Sequence, residues 1–332
     1  MIILGINAFH ADSSAALVVD GRVVAAAEEE RFCRIKHWAG FPEAAIRYCL
    51  AQAGVGIGDV DHVAVNTDPK AAWGRRLLQV AKKPPTLSLI ADRLRNRKRR
   101  RTVLDELDRA FAGERIRARA HKVPHHLAHL ASAHFCSPFD SSLAVSVDGG
   151  GDFATGAWGL GQGKALTLDA QVWFPHSLGI FYQALTQFLG FPNYGDEYKV
   201  MGLAAYGEPA YVDVIRKLVD SEGDGRYRLD TSYFRHERER IVFEWESGVP
   251  VFEPLYNDRL VKLLGPVRRK DEPIEQRHKD LARSVQQVFE EAYLTLLTRL
   301  HARYRVDSVA LAGGCAMNSV ANGLVAEKTP FR

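Results

Sequence analysis

The stretch that decides the fold is PHHLAHLASAHFCSPFDSSLAVSVDGGGD, residues 124–152. The apolar residues after the first histidines predict a short helix that those histidines open. Residues 143–147 (LAVSV) predict a buried strand, and Asp148 follows where that strand ends in a glycine-rich turn. Because residues four apart lie on one face of a helix, His125 and His129 present two imidazoles together.

This spacing predicts a metal site beside a phosphate site. Two helical imidazoles and the Asp148 carboxylate supply nitrogen and oxygen ligands, and Gly149, Gly150 and Gly151 offer backbone N–H groups to a phosphate. The alternative is that one histidine is a helix cap or a core residue and that the glycines only form a tight turn. The HxxxH spacing alone favours that alternative, whereas the DGGGD turn so close behind it favours the metal site.

Composition and length describe an ordinary globular protein. The chain has 332 residues, long enough for two domains, and its 46% apolar and 25% charged residues argue against general disorder. The four cysteines show no CxxC spacing, which favours a reducing compartment over a disulfide framework. The N-terminus lacks a signal-peptide pattern, and no stretch approaches the roughly 20 apolar residues of a membrane span. We therefore expect a cytoplasmic protein without a membrane partner.

An arginine-rich run at 93–101 lies in a variable helical region, residues 70–115. It is either a surface for nucleic acid or acidic lipid, or the solvated face of a helix. The run has no interleaved aromatic residues, which favours the solvated face. We therefore do not expect a nucleic-acid partner.

Three further places carry candidate site residues. His10 lies in the turn between the first two predicted strands, where α/β proteins commonly place their chemistry; the alternative is a turn histidine bonded to the backbone. Lys199 is a candidate phosphate ligand, with a surface lysine before a helix as the alternative. The Gly313–Gly314 turn between a strand and a helix favours an anion or a nucleotide at the helix N-terminus.

The second half of the chain repeats the strand pattern of the first. Predicted strands at 143–147 and 154–160 flank the glycine turn as the first two strands flank the His10 turn. Helices are predicted at 43–53, closed by Gly54, and at about 276–304, and Ser177 is predicted to cap another. Asp20-Gly21 predicts a two-residue hairpin turn. Residues 210–272, rich in charged and aromatic residues, are typical of an insertion into such a core.

A series of short motifs, in this order, resembles the NodU/CmcH-type O-carbamoyltransferases, specifically their N-terminal, Kae1-like transferase part. Proteins of that family attach carbamoyl groups to hydroxyls of sugars, antibiotics and related metabolites. The matching stretches are GIN (5–7) with FH (9–10) and SAAL (14–17), AEEERF (27–32) with KH (36–37), HHLAH (125–129), DGGGD (148–152), SLG (177–179), KVMGLA (199–204) and GGCAMN (313–318).

The resemblance implies an α/β fold with two RNase H-like lobes of the actin/hexokinase/Hsp70 (ASKHA) superfold. We expect the first lobe at 1–140 and the second at 141–332, with the insertion at about 210–272 and a truncation at its C-terminus. A YrdC-like part, which makes carbamoyl-adenylate from carbamoyl phosphate and ATP, is expected to be absent from this chain. A fragment, a split enzyme with a partner chain, and a homodimer are all left open.

The resemblance also assigns roles to residues. It implies His125, His129 and Asp148 as ligands of iron(II), with zinc or manganese as alternatives, and His10 as the catalytic histidine. A fourth ligand is expected in an Asp-x-Gly motif beyond the GGCAMN block, which this chain does not reach. The site is therefore expected to lack one ligand, which puts activity of the chain alone in doubt.

The implied reaction has carbamoyl-adenylate between the lobes, with its phosphate facing the metal and the 149–151 amides. Its adenosine lies near Gly313, Gly314 and Asn318. The metal stabilises charge on the leaving phosphate, while His10 takes a proton from the hydroxyl of a small-molecule acceptor or hydrogen-bonds the carbamoyl oxygen. The insertion is the expected place for acceptor specificity.

Three other functions compete with this one. The first is a non-catalytic nucleotide-binding remnant that needs a partner chain. The second, a tRNA threonylcarbamoyl transferase, is less favoured because those proteins resemble one another in an acidic residue inside the histidine pair, where this chain has Leu127. The third, a sugar kinase of the same superfold, leaves the histidine pair unexplained.

Overall fold

The chain divides into two compact units. A computed structural model describes residues 1–68, 70–75, 102–221, 223–239, 241, 243–244 and 250–332. Unit 1 comprises Met1–Pro124 and Phe243–Phe252, and unit 2 comprises His125–Val242 and Glu253–Arg332. The sequence placed this boundary at residue 140; it lies earlier because the helix that starts at His125 packs against the strands of unit 2. The arginine-rich run lies outside the described residues.

Unit 1 is built on a five-stranded sheet. Its elements are β1 (Ile2–Asn7), β2 (Ser14–Val19), β3 (Arg22–Glu28), α1 (Glu30–Cys33), α2 (Glu43–Ala53), β4 (His62–Val65), α3 (Val103–Ala110) and β5 (Arg119–Lys122). The strand order is β3-β2-β1-β4-β5, antiparallel from β3 to β1 and parallel from β1 to β5. Asp20 and Gly21 form the turn between β2 and β3 with positive φ at both positions, as a two-residue hairpin requires.

The core of unit 1 lies between this sheet and α2. Leu4 and Leu17 on the strands and Ile46 on the helix are fully buried. The carboxylate of Glu29 is buried at the start of α2, where it accepts the N–H group of Ala45 at 2.8 Å. It thereby satisfies a helix N-terminal amide that has no partner inside the helix.

Unit 2 is built on a second sheet flanked by helices. Its elements are α4 (His125–Phe135), β6 (Ser141–Gly151), β7 (Ala154–Gln162), β8 (Ala165–Leu166), β9 (Ala170–Trp173), α5 (Leu178–Phe188), α6 (Glu197–Ala204), α7 (Val212–Ile215), β10 (Val219–Ser221), β11 (Tyr227–Leu229), α8 (Asp258–Leu264), α9 (Gln276–Tyr304), β14 (Val309–Ala312), α10 (Ser319–Gly323) and α11 (Val325–Lys328). Between β11 and α8 in the chain, β12 (Phe243–Glu244) and β13 (Val251–Phe252) form a short hairpin that belongs to unit 1. The sheet order is β14-β6-β7-β8, and β9 also pairs with β7.

The two sheets share the arrangement of three strands, of which the sequence predicts the repeated strand pair. β6 and β7 pair antiparallel like β1 and β2, and β14 runs parallel to β6 as β4 does to β1. A backbone hydrogen bond to the residue just before the parallel strand also occurs in both units. The N–H of Arg119 donates to the carbonyl of Asp61, before β4, at 2.9 Å, and the N–H of Arg332 donates to the carbonyl of Asp307, before β14, at 2.8 Å. The predicted α/β class and the two-lobed organisation are confirmed.

The core of unit 2 encloses β6, because every residue from Ser142 to Val147 is buried. α4 packs on this sheet through Leu130, which lies against Ala144 and Ala157. The long helix α9 has the predicted bounds and buries an apolar stripe. Among the described residues, no helix combines the length and the apolar character needed to cross a bilayer.

Candidate metal site

The helix that carries the histidine pair begins at His125, as the sequence predicts. The carboxylate of Asp152 accepts the N–H of His125 at 2.9 Å, which satisfies one of the four amides at the start of α4. Asp152 follows the glycines at the end of β6, so this bond ties the start of the helix to the end of the strand. The spacing had not pointed to Asp152 as a cap; its signal is the second acidic residue of DGGGD.

The structure brings His125, His129 and Asp148 together. The Nε2 atoms of the two histidines lie 3.0 Å apart, and they lie 3.1 Å (His125) and 3.5 Å (His129) from Oδ2 of Asp148. Ligand atoms about 2.1 Å from one ion, at angles of about 90–110°, are themselves about 3.0–3.4 Å apart. The donor set therefore fits a divalent transition metal on one side of its coordination sphere.

Asp148 is held by both of its carboxylate oxygens. Oδ2 faces the two imidazoles, and Oδ1 accepts the N–H of Gly314 at 2.9 Å. Burial by itself raises the pKa of the Asp148 carboxyl, but the hydrogen bonds of His125 and His129 outweigh it and hold the pKa well below its usual range. The Asp148 carboxyl is therefore deprotonated at neutral pH, which is the form that can bind a metal.

Asp148, Gly149 and Gly150 form a bulge inside β6 rather than the predicted turn. Val147 pairs with Gly156 and Gly151 with Ala154, so residues 148–150 lie opposite Thr155 alone. The hairpin turn is made by the next two residues instead. The backbone of residues 148–150 therefore lies outside the ladder with β7.

Close packing explains two of the glycines around the site. A Cβ at Gly151 would lie 2.2 Å from Cγ and Cδ2 of His125, so the missing side chain makes room for the imidazole. A Cβ at Gly179 would lie 2.6 Å from the nitrogen of Gly149. The hydroxyl of Ser177, the predicted N-cap of α5, contacts the carbonyls of Asp148 and Gly149 at 3.0 and 2.9 Å. This contact with the bulge had no signal in the sequence.

The Gly313–Gly314 turn reaches the same carboxylate. Gly313 has a φ of 87°, and a Cβ there would lie 2.4 Å from the carbonyl oxygen of Val147. The turn can therefore approach β6 only with glycine at this position. The segment predicted to open a helix forms a short 3₁₀ turn, Gly314–Met317, before α10 begins.

Asn318 holds this segment in place through a buried amide pair. Its Oδ1 accepts the N–H of Ala321 at 3.0 Å as the N-cap of α10, and its Nδ2 donates to Gln286 of α9 at 2.9 Å. Gln286 also accepts the hydroxyl of Tyr182 at 2.7 Å. The side chain of Asn318 therefore fixes the position of the Gly314–Met317 turn.

Lys199 lies inside α6 rather than before it. Its ammonium is 2.7 Å from the carboxylate of Asp196, and this hydrogen bond raises the pKa of Lys199. About a third of the side chain is exposed. The positive charge of Lys199 is therefore paired with the carboxylate of Asp196.

His10 belongs to unit 1, in the turn between β1 and β2. The hydroxyl of Ser13 donates to the carbonyl oxygens of His10 and Gly40 at 2.9 and 2.8 Å, which pins this turn. The turn therefore has a defined backbone, as a catalytic side chain requires.

His126, next to the first proposed ligand, is a core residue. Its Nδ1 lies 3.0 Å from the hydroxyl of Ser146, and only 1% of the residue is exposed. Burial lowers the pKa of His126 to about 4, against the attraction of the Asp148 charge. One histidine of the motif is therefore structural while the other two face Asp148.

Comparison with known proteins places the chain in a family. The family model described as "Carbamoyltransferase N-terminus" matches residues 2–332. An uncharacterised protein of Synechocystis is 38% identical over 99% of this chain and 53% of its own length. The nodulation protein NolNO of Sinorhizobium fredii is 35% identical over 96% of this chain and 42% of its own length. The chain thus spans about half the length of these relatives.

Solved structures show a distant likeness over most of the chain. Component A of the (R)-2-hydroxyglutaryl-CoA dehydratase of Acidaminococcus fermentans matches 98% of this chain and 88% of its own, at 12% identity and a TM-score of 0.48. Since the family model covers all but the first residue, the chain belongs to the family of carbamoyltransferases, as the counterpart of their N-terminal part.

Proposed function

We propose that this chain is the metal-binding transferase part of an O-carbamoyltransferase, which passes a carbamoyl group from carbamoyl-adenylate to a hydroxyl of a small-molecule acceptor. The observation that carries the proposal is the convergence on Asp148. Two imidazoles face one of its oxygens, and the Gly314 amide of the second glycine turn donates to the other. A metal site and a glycine turn suited to an anion are therefore joined through one carboxylate.

In this proposal His125, His129 and Asp148 hold iron(II), with zinc or manganese as alternatives. The bound metal acts as a Lewis acid that stabilises negative charge on the departing phosphate. The glycine bulge supports the same role, because the N–H groups of residues 149 and 150 lie outside the β6–β7 ladder and suit a phosphate. The Lys199 ammonium adds positive charge for the same anion.

The transfer forms one bond and breaks another. The acceptor oxygen attacks the carbamoyl carbon, the bond from that carbon to the phosphate oxygen breaks, and AMP leaves. We assign His10 as the base that takes the hydroxyl proton, a role that typically contributes about 10²–10⁴-fold to the rate. The segment assigned to the adenosine contains Gly313, Gly314 and Asn318. The glycine turn lets its backbone approach β6, and the side chain of Asn318 fixes its position.

The donor is assigned to a second activity. A YrdC-like part makes carbamoyl-adenylate from carbamoyl phosphate and ATP in this proposal, on the same longer polypeptide or on a partner chain. The length of the relatives supports this assignment, since this chain aligns with 42–53% of them.

The test separates metal binding from turnover. The chain is purified without oxygen, loaded with iron(II), and supplied with synthetic carbamoyl-adenylate; iron content and AMP release are measured with water as the acceptor. We expect wild type to bind one more iron per chain than His129→Ala does, and AMP release to fall about 100-fold or more in Asp148→Asn. Asp140→Asn, an exposed aspartate just before β6, is the matched control and should behave as wild type.

Two results would contradict the proposal. If wild type and His129→Ala bind the same amount of iron, zinc or manganese, the three residues are not a working metal site in this chain. If the metal binds but AMP release does not exceed the rate without protein, the chain is a nucleotide-binding part rather than a transferase.

A further inference from the structure

A second group of metal-ligating side chains lies in unit 1, outside the site described above. Asp12 is in the turn after β1, Glu30 begins α1, and His37 is in the loop after α1. One ligand atom from each residue lies within 4.8 Å of the other two. Among the described residues, this group and the triad around Asp148 are the two that meet this geometric condition.

Both carboxylates contact His37, that of Asp12 at the imidazole and that of Glu30 at the backbone. Its Nδ1 lies 2.8 Å from Oδ1 of Asp12, and its backbone N–H donates to Oε2 of Glu30 at 2.8 Å. The side chains are partly exposed, at 41% for Asp12, 16% for Glu30 and 30% for His37. A hydrated ion from solvent can therefore reach the group, while Glu30 supplies a ligand that is largely shielded.

The backbone that presents these ligands is set by other contacts. Asp12 and His37 have φ of 61° and 56°, a left-handed conformation that is unfavourable for a non-glycine residue. Such conformations persist where the surroundings impose them and cluster at functional sites. Here the side chain of Asn7 donates to the carbonyl of Asp12 at 2.9 Å. The N–H of Ser13 donates to the carbonyl of Trp38, next to His37, at 2.9 Å.

The charge of the group favours a cation. Two carboxylates and one imidazole converge. The exposed Arg31 contacts Oε1 of Glu30 at 3.3 Å, whereas Oε2 of Glu30 faces His37. Oxygen ligands alone would suit magnesium or calcium, whereas an imidazole with two carboxylates suits manganese, zinc or iron(II). The histidine thus distinguishes this group from a patch of surface acids.

We propose that Asp12, Glu30 and His37 form a second divalent-metal site, for manganese(II) or zinc(II), independent of the triad around Asp148. Asp12 lies two residues after His10 in the same turn. A metal there joins the β1–β2 turn to the loop after α1, so binding holds the backbone that carries His10.

The test counts metal sites on the full chain. Metal-free protein is titrated with manganese(II), followed by electron paramagnetic resonance, and with zinc(II), followed by calorimetry. We expect two ions per chain in wild type and one in either His129→Ala or His37→Gln, with the affinity for the lost ion reduced about tenfold or more. The double variant should bind none.

The matched control is His121→Gln. Nε2 of His121 lies 3.0 Å from Nδ1 of His62 in unit 1, a histidine pair that belongs to neither three-residue group. This variant should keep both ions, which shows that a partly exposed imidazole in unit 1 is not enough. Asp12→Asn removes one charge at nearly constant shape and should weaken the same ion as His37→Gln.

The proposal is overturned if wild type binds a single ion that His129→Ala abolishes, or if His37→Gln and Asp12→Asn both retain two ions. Circular dichroism of each variant shows that it is folded. Retention of the triad's ion by His37→Gln keeps this outcome separate from failure of the proposed transferase site.

Discussion

Replacing Gly151 by alanine tests the position of His125, the first of the proposed metal ligands. The new Cβ would lie 2.2 Å from two carbons of the His125 ring, whereas carbon atoms in contact are about 3.5–4.0 Å apart. The ring must therefore move by about 1 Å or more. Ligand distances in metal sites hold to within about 0.2 Å, so this displacement is several times the tolerance. We expect Gly151→Ala to bind the metal about 10–100-fold more weakly.

The assay is competition with a chromogenic chelator, and a thermal melt of the same samples reports folding. Overpacking typically costs about 1–3 kcal/mol, so the variant should be less stable yet folded. Gly149→Ala is the control, because a Cβ there meets no atom within 4 Å. It adds the same methyl group two residues earlier in the chain and should leave metal affinity nearly unchanged. Wild-type affinity in folded Gly151→Ala would show that the His125 ring, as placed here, is not a ligand.

Two further predictions concern stability of the metal-free chain. The unfolded imidazole of His126 takes up a proton near pH 6.5 but the buried one only near pH 4, so the free energy of unfolding should fall by about 3 kcal/mol between these values and then level off. Urea titrations at a series of pH values should show that the free energy of unfolding falls less steeply with decreasing pH in His126→Gln than in wild type. The same pH dependence in both proteins would refute the lowered pKa of His126. Asn318→Ala leaves the Ala321 amide without its N-cap and removes one partner of Gln286, which keeps Tyr182. We expect the free energy of unfolding to fall by about 2–4 kcal/mol, and a fall below about 1 kcal/mol would contradict the prediction.

Local patterns predicted the elements that local forces determine. The helices at Glu43–Ala53 and Gln276–Tyr304 have the predicted bounds, because an apolar stripe at helical spacing and a terminal glycine or polar residue are readable from neighbours in sequence. The Asp20–Gly21 turn and the N-cap of α5 were predicted for the same reason. Each depends on residues within a few positions of one another.

At the glycine-rich segment, local patterns alone do not predict the structure correctly. Residues 149–151 favour a turn by composition. Gly149 and Gly150 instead lie in a bulge of β6, and Gly151 pairs with Ala154, because β7 pairs on both sides of the bulge. Whether glycines end a strand or continue it depends on the partner strand. The unit boundary was misplaced for a similar reason, since α4 joins unit 2 through its packing on β6 and β14.

The sequence by itself determined the α/β class, the repeated strand pattern, the family and the three candidate ligands, because these depend on residue spacing and on motifs. Tertiary structure decided how the ligands are held. Gly314 reaches Asp148 across 166 positions of the chain, and Asn318 meets Gln286 across 32. Such contacts depend on how helices and strands pack, and packing leaves no periodic signal in the chain. The second group of ligands, Asp12, Glu30 and His37, likewise became visible only when the turn and the loop were folded together.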